Sequence, residues 1–295
     1  MKPGEAVRNI DFAELDGQEL INAVADLYGS TRIVAMFSGG HDSLCSMHLA
    51  SGVPGFIHAC HINTGIGIEQ TREFARRTCA HERIRFVEYK AADYIGGDGQ
   101  PAPQCYRDFV MSWGFPGPAQ HSRLYQRLKE RPIRHMIRDL ERDSTDRVLL
   151  ITGVRQEESA RRMRHVHRVQ EWEGTKIWVA PIWNWSKAKV NGYIQEHGLP
   201  RNEVSDNLHF SGECLCGAYA HAGELDEIGF FYPDAAEELR ELQREAGFPW
   251  GWEDSPPAWY KRVQDGEKLL PGMDDHMMMC SSCTARHENV SSTDD

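Results

Sequence analysis

The stretch Ile33-Val34-Ala35-Met36-Phe37-Ser38-Gly39-Gly40-His41-Asp42-Ser43 constrains this chain more than any other. A short, partly β-branched apolar run that empties into two glycines among hydroxyl side chains reads as a strand, a tight loop and a helix start. In such a turn several backbone amides converge on one point and the helix dipole adds to them, so the loop suits a phosphate or sulfate. Gly39 and Gly40 let the main chain approach the anion, Ser38 and Ser43 add hydroxyl donors, and Asp42 can cap amides or help orient a magnesium ion. The loop is not of the Walker type, which needs a lysine and wider spacing. Taken alone, it describes a capped turn equally well.

The surrounding pattern decides the fold class. Helices are expected over 13–28, 68–80 and 187–197, with another opening at Ser43, and strands over 33–37, 56–62, 84–89, 148–152 and 177–182. This alternation predicts an α/β fold, a parallel twisted sheet with helices on both faces and its ligand site beyond the carboxyl ends of the strands. Asn63-Thr64-Gly65 and Gly153-Val154-Arg155 lie at two more such ends, so three loops should meet at one crevice. The Gly- and Pro-rich segment 96–120 is expected to be a long irregular loop beside it, 121–142 a helical region and 235–246 an acidic helix. A nucleotide-binding domain is expected over 1–205 and a small acidic, Cys-rich extension over 206–295.

Charge separates the same two regions. Residues 201–295 hold 7 basic against 20 acidic side chains, whereas 121–168 hold 13 basic against 7 acidic, with four histidines. The basic segment suits a nucleic acid; it suits a solvated helix face as well, because Arg131, Arg134 and Arg138 fall at helical spacing. No apolar run reaches the ~20 residues of a membrane helix, and the N-terminus lacks a secretion signal, so a cytoplasmic protein with reduced thiols and no membrane partner is expected.

Four elements in order carry a family resemblance. Ser38-Gly39-Gly40-His41-Asp42-Ser43 resembles the SGGxDS PP-loop of the ATP pyrophosphatase superfamily, with His41 at its variable place. His61-Ile62-Asn63-Thr64-Gly65 with Glu69 and Phe74 is similar to the DTG signature of the phosphoadenosine phosphosulfate reductase-like branch, Asn63 being a departure. Thr152-Gly153-Val154-Arg155 with Glu158 and Arg161 resembles its TG.R..ES..R segment, and 181–200 its closing PL..W pattern. The resemblance implies an adenine nucleotide alpha-hydrolase-like fold binding ATP or a sulfonucleotide, with Mg2+. It places Ser38, Gly39, Gly40, His41, Asp42, Ser43, Asn63, Thr64, Gly65, Gly153, Arg155, Glu158 and Arg161 at the nucleotide, and Asp42, Ser43 and Arg155 in catalysis.

Cys214-Leu215-Cys216 and Cys280-Ser281-Ser282-Cys283 can together supply a four-thiolate site. Zinc and a [4Fe-4S] cluster suit it equally by chemistry, and the resemblance to sulfur-handling enzymes favours the cluster. Two unrelated buried pairs or a redox-active dithiol are the alternatives, and Cys45, Cys60, Cys79 and Cys105 read as ordinary residues, although Cys105, in the long loop beside the crevice, can be reactive. Three functions fit. The first is adenylation of an acceptor with pyrophosphate release, in sulfur transfer or a nucleic-acid modification related to DNA phosphorothioation, with a sulfur-donor protein as partner. The second is reduction of phosphoadenosine or adenosine phosphosulfate, although no ECG[LI]H-like tail ends the chain. The third is a non-catalytic nucleotide-binding subunit that docks a partner through its metal module. Trp113, Trp172 and Trp178 can face nucleic acid or fill a core, and the chain can form an oligomer.

Overall fold

The computed structural model describes residues 12–30, 32–94, 105–141, 146–158, 167–172, 176–221 and 223–251. Six strands, β1 (Arg32–Met36), β2 (Phe56–Asn63), β3 (Phe86–Lys90), β4 (Val148–Ile151), β5 (Val169–Trp172) and β6 (Lys176–Val179), form one sheet in the order β3-β2-β1-β4-β6-β5. Neighbours are parallel except β5, which runs antiparallel to β6. That edge departs from the all-parallel expectation. Only three residues separate β5 from β6, and a parallel pair needs a crossover of a dozen or more.

The helices are α1 (Gly17–Tyr28), α2 (His41–Ser51), α3 (Glu69–His81), α4 (Cys105–Trp113), α5 (His121–Tyr125), α6 (Arg131–Leu140), α7 (Lys187–Glu196), α8 (Glu203–Leu208), α9 (Glu224–Phe231) and α10 (Pro233–Ala246). A π-helical turn, Gln126–Glu130, joins α5 to α6. No helix of the described residues is long and apolar enough to cross a membrane.

Alternation along the strands sends side chains to two cores. Ile33, Ala35 and Phe37 pack with Leu20, Ile21 and Val24 of α1, Leu44 of α2 and Val190 and Ile194 of α7. Val34, Met36, Cys60 and Ile62 pack on the opposite face with Ile133, Met136 and Ile137 of α6. β1 and β4 are buried along their whole lengths, which is why β4 and, after Arg32, β1 read as unbroken apolar runs. A further cluster joins Ile66, Phe109 and Leu128 to Cys214, Leu225, Leu239 and Trp250, so residues 214–250 share a core with residues from the first half of the chain.

Three helices, like β5, escape the sequence pattern. α4 lies inside the expected loop at 96–120, where Cys105, Tyr106, Phe109 and Val110 form a buried helical stripe. α8 is capped by Asn202, whose side chain accepts from Val204 N, and α9 opens after Gly223 at φ 80°. α2 begins at His41, two residues before the expected start. Gly40 takes the extended N-cap conformation, so Asp42 sits in the first turn, where the dipole favours a carboxylate.

Candidate functional site

The glycine loop leaves β1 at the carboxyl edge of the sheet and is held from three sides. Gly39 has φ 81°, and a Cβ there would stand 2.7 Å from Thr71 Cγ2; a side chain at Gly40 would stand 3.3 Å from Ser211 Cβ. Asn202 Nδ2 donates to Gly39 O (2.9 Å) and to Thr71 Oγ1 (3.2 Å). Ser43 Oγ donates to Gly40 O (2.9 Å) and lies 3.2 Å from Ser38 Oγ. Gly153 presses on the start of α2 so closely that a Cβ would stand 2.5 Å from Ser43 N.

A cleft opens at this edge. Ser38 and Ser43 of the glycine loop line it with Thr152 and Gly153, the apolar Met36, Phe37, Cys60 and Ile62, and the charged Lys129 and Glu213. Amides at a helix start and one ammonium make an anion cradle, to which the Ser38 and Ser43 hydroxyls can turn their protons from their present partners. Burial pushes the Cys60 thiol up, so it stays protonated.

The predicted site residues divide. Ser38, Ser43 and Gly153 line the cleft, while Arg155 and Asp42 face each other, with Nε 3.1 Å from Oδ1 in an ion pair whose angle falls short of a hydrogen bond. Arg155 also donates to Trp185 O (3.2 Å) and reaches Glu157 at 3.5 Å. The Asp42 carboxylate thus has an arginine at one of its oxygens, Oδ1. His41 turns into the protein, 4 % exposed, with Nε2 3.8 Å from Asp206 Oδ1. Burial, reinforced by Arg201 and Lys187, pushes its pKa down to about 4.

Asn63 explains its own departure from the DTG pattern. Its Nδ2 donates to Glu88 Oε1 (2.7 Å) and its Oδ1 accepts from Gly65 N (2.9 Å). Glu88 also pairs with Arg76, which pairs with Glu69. An aspartate at 63 would set two carboxylates against each other. Thr64 gives both its donors to Glu213, N–H to Oε1 and Oγ1 to the main-chain oxygen, each at 3.0 Å. Gly65, at φ 80°, completes that turn. The main chain at Glu158 closes a 3-10 turn, and Arg161 lies outside the described residues.

Lys129, Glu213 and Asn202 are site residues that sequence reasoning missed. Lys129 stands in a Lys-Glu-Arg run that reads as a solvated face, yet the π turn leaves it 8 % exposed. The rest of the basic segment is mixed. Arg134 pairs with Glu130 (2.6 Å), while Arg123 lies 5.7 Å over the ring of half-exposed Trp113. Trp178 is buried between the sheet and α6, which removes it from any nucleic-acid face.

Cys214 and Cys216 are buried beside Trp250 and Phe109. Their loop is fixed by Leu215 N to Ile66 O (2.9 Å), Trp250 Nε1 to Leu215 O (2.9 Å) and Tyr106 Oη to Cys216 O (3.1 Å). Two adjacent thiols on a braced turn in an apolar setting suit a soft metal centre. Cys280 and Cys283 lie outside the described residues, and among the described residues no group of three or more His, Cys, Asp or Glu is placed to hold a metal.

The phosphoadenosine phosphosulfate reductase domain model matches residues 32–220, nearly two thirds of the chain. Comparison with curated proteins finds no match. Among solved structures, the chain is similar to a phosphoadenylyl-sulfate reductase from Candida auris in its phosphate complex, at 18% identity and TM-score 0.48 over 70% of this chain and 91% of that one. It is similar to the U34-tRNA thiolase NcsA from Methanococcus maripaludis with its [4Fe-4S] cluster, at 15% identity and TM-score 0.35 over 82% and 83%. It is also similar to Candida glabrata FMN adenylyltransferase with FMN and an ATP analogue, at 10% identity and TM-score 0.38 over 70% and 58%. The family match opens at the first residue of β1 and runs past Cys216, taking in the glycine loop, the Asn63 turn and Arg155: this chain belongs to the phosphoadenosine phosphosulfate reductase domain family.

Proposed function

We propose that the cleft binds the phosphate end of an adenine nucleotide and that the protein is a PP-loop enzyme that adenylates an acceptor. An acceptor oxygen attacks the α-phosphorus of ATP, the bond to the bridging oxygen breaks and pyrophosphate leaves; a sulfur nucleophile then displaces AMP. The carrying observation is the anion cradle, where Ser38, Ser43 at the start of α2 and Lys129 line one cleft. The amides, hydroxyls and ammonium would stabilise charge growing on the departing phosphates without reorganising. Arg155, tied to Asp42 and Trp185 O, would present a fixed guanidinium at the edge of the same site.

The family supports a second reading, reduction of phosphoadenosine or adenosine phosphosulfate, in which a thiolate attacks the nucleotide's sulfur. Among the described residues the thiol lining the cleft is Cys60, and its raised pKa argues against that role. The four-cysteine centre, a nucleic acid at 121–168 and a sulfur-donor protein belong to the first reading as proposals. Cys214 and Cys216 would hold half of the centre, which would supply or accept sulfur or electrons when bound.

The test offers the purified protein ATP with candidate acceptors, and separately sulfonucleotide with thioredoxin. Pyrophosphate release lost in Ser43→Ala supports adenylation; sulfite release supports the reductase. Binding of no adenine nucleotide would sink both. Iron with acid-labile sulfide identifies a cluster, and zinc without sulfide rejects it.

A further inference from the structure

We infer that Glu213 is a positioning residue for the proposed nucleotide site, holding Lys129 in the wall of the cleft that the glycine loop also lines; the inference rests on the nucleotide reading above. Glu213 is 2 % exposed, and its Oε2 lies 3.7 Å from Lys129 Nζ, close enough for an ion pair but too far for a hydrogen bond. The carboxylate therefore orients the ammonium by charge without claiming a donor in that direction. Placing a carboxylate in the wall of an anion cradle opposes anion binding, so its presence there asks for another role.

The carboxylate is itself fixed. Oε1 accepts from Thr64 N at 3.0 Å, and the Glu213 carbonyl accepts from Thr64 Oγ1 at 3.0 Å. The main chain at Gly67 passes so close that a Cβ there would stand 2.1 Å from Glu213 O. Beside it stands His61, fully buried, whose Nδ1 lies 2.8 Å from Phe37 O and whose Nε2 lies 3.9 Å from Glu213 Oε1. The carbonyl of Phe37 can only accept, so the Nδ1 proton faces it. One carboxylate thus joins the turn after β2 and the start of the cysteine loop to the ammonium in the cleft wall.

The sign of the charge makes the role testable. Glu213→Gln removes a negative charge from the cleft wall, so affinity for a polyanion should hold or rise, while Lys129 loses its orientation and turnover falls. Displacing a catalytic group by about an ångström can cost on the order of a hundredfold in rate. A merely structural residue would lower both quantities together. The experiment measures the Kd of a non-hydrolysable ATP analogue and the kcat of nucleotide turnover for wild type, Glu213→Gln, Glu213→Asp, Lys129→Met and the double variant Lys129→Met/Glu213→Gln. Expected are a Kd within about threefold of wild type and a kcat lowered about tenfold or more for Glu213→Gln. Glu213→Asp should recover part of that loss, and Glu213→Gln should do no further damage in the Lys129→Met background.

Unchanged kcat in Glu213→Gln, or losses that multiply independently in the double variant, overturns the inference while leaving the nucleotide reading intact. Absence of analogue binding or of turnover by the wild type overturns the nucleotide reading and this inference with it. Should Glu213→Gln not fold, Lys129→Arg carries the test. Its fork would bond Glu213 directly, keeping Kd and lowering kcat, and an undiminished kcat overturns the inference.

Discussion

Gly153→Ala should damage nucleotide binding from a position that contributes no side chain to it. The added Cβ would stand 2.5 Å from Ser43 N, 2.6 Å from Asp42 C and 2.8 Å from Ser43 Cα, all of them backbone atoms. Ordinary contact needs ~3.4 Å or more. The first turn of α2 or the loop after β4 must therefore retreat by about 0.9 Å, and the first turn carries Ser43 and the amides of the cradle. Overpacking of this kind costs about 1–3 kcal/mol, and in a chain of this size each kcal/mol lowers Tm by about 2–4 °C. The misplaced amides should weaken binding of a triphosphate by about tenfold to a hundredfold. Gly192→Ala is the matched control, because that glycine lies exposed in α7 with nothing within 4 Å of the new methyl. Helix propensity alone should make it more stable by about 0.5–1 kcal/mol with unchanged affinity. Differential scanning fluorimetry and isothermal titration calorimetry read both quantities. Wild-type affinity and Tm in Gly153→Ala would refute the claim that this contact seats the phosphate loop.

Asn202→Ala removes the donor to Gly39 O and Thr71 Oγ1 together with the cap of α8, and should lower stability by about 1–3 kcal/mol and weaken nucleotide binding, measured by urea unfolding and calorimetry. Asn63→Asp should destabilise by about 1–2 kcal/mol near neutral pH, because it replaces a donor with a second carboxylate beside Glu88. Burial opposes ionisation of Glu88, but its bonds from Asn63 and Arg76 prevail and hold its pKa low, so its wild-type contribution is present above the usual carboxylate range and lost as pH falls. The Asn63→Asp penalty should accordingly shrink on acidification, and a pH-independent penalty would count against the pairing. His58 is buried with no hydrogen-bond partner on either ring nitrogen among the described residues, and burial, aided by Arg85, lowers its pKa to about 4. The unfolded chain takes up that proton first, so stability is lost as pH falls from about 6.5 to about 4, by on the order of 3 kcal/mol. His58→Leu should flatten this part of the pH–stability curve, and an unchanged curve would show that His58 does not drive the loss.

The central strands and the glycine loop were legible because each depends on neighbours in sequence. Continuous burial of β1 and β4 leaves an apolar run, and a strand that must release into a helix leaves glycines. β5 was hidden because Val169-Gln170-Glu171-Trp172, an edge strand, has no reason to be apolar throughout. α4 was hidden because glycines and prolines crowd both sides of its buried stripe. His41 reads from the loop pattern as a residue beside the ligand, and only the early start of α2 reveals that it points towards Asp206. Lys129 and Glu213 left no local trace. A buried ion pair 84 positions apart is a property of the folded arrangement, and each partner alone looks like ordinary surface.

The π turn at Gln126–Glu130 has a consequence for how this site can be altered. A regular helix advances each side chain by about 100° per residue, and a turn holding an extra residue offsets everything beyond it by that amount. Deleting Gln126 from this turn would restore the regular pitch without removing a charge or a glycine. It would also swing the side chains on one side of the deletion a quarter-turn away from where they now lie. The reach of Lys129 towards the cleft is thus set by a count of residues as much as by their identity.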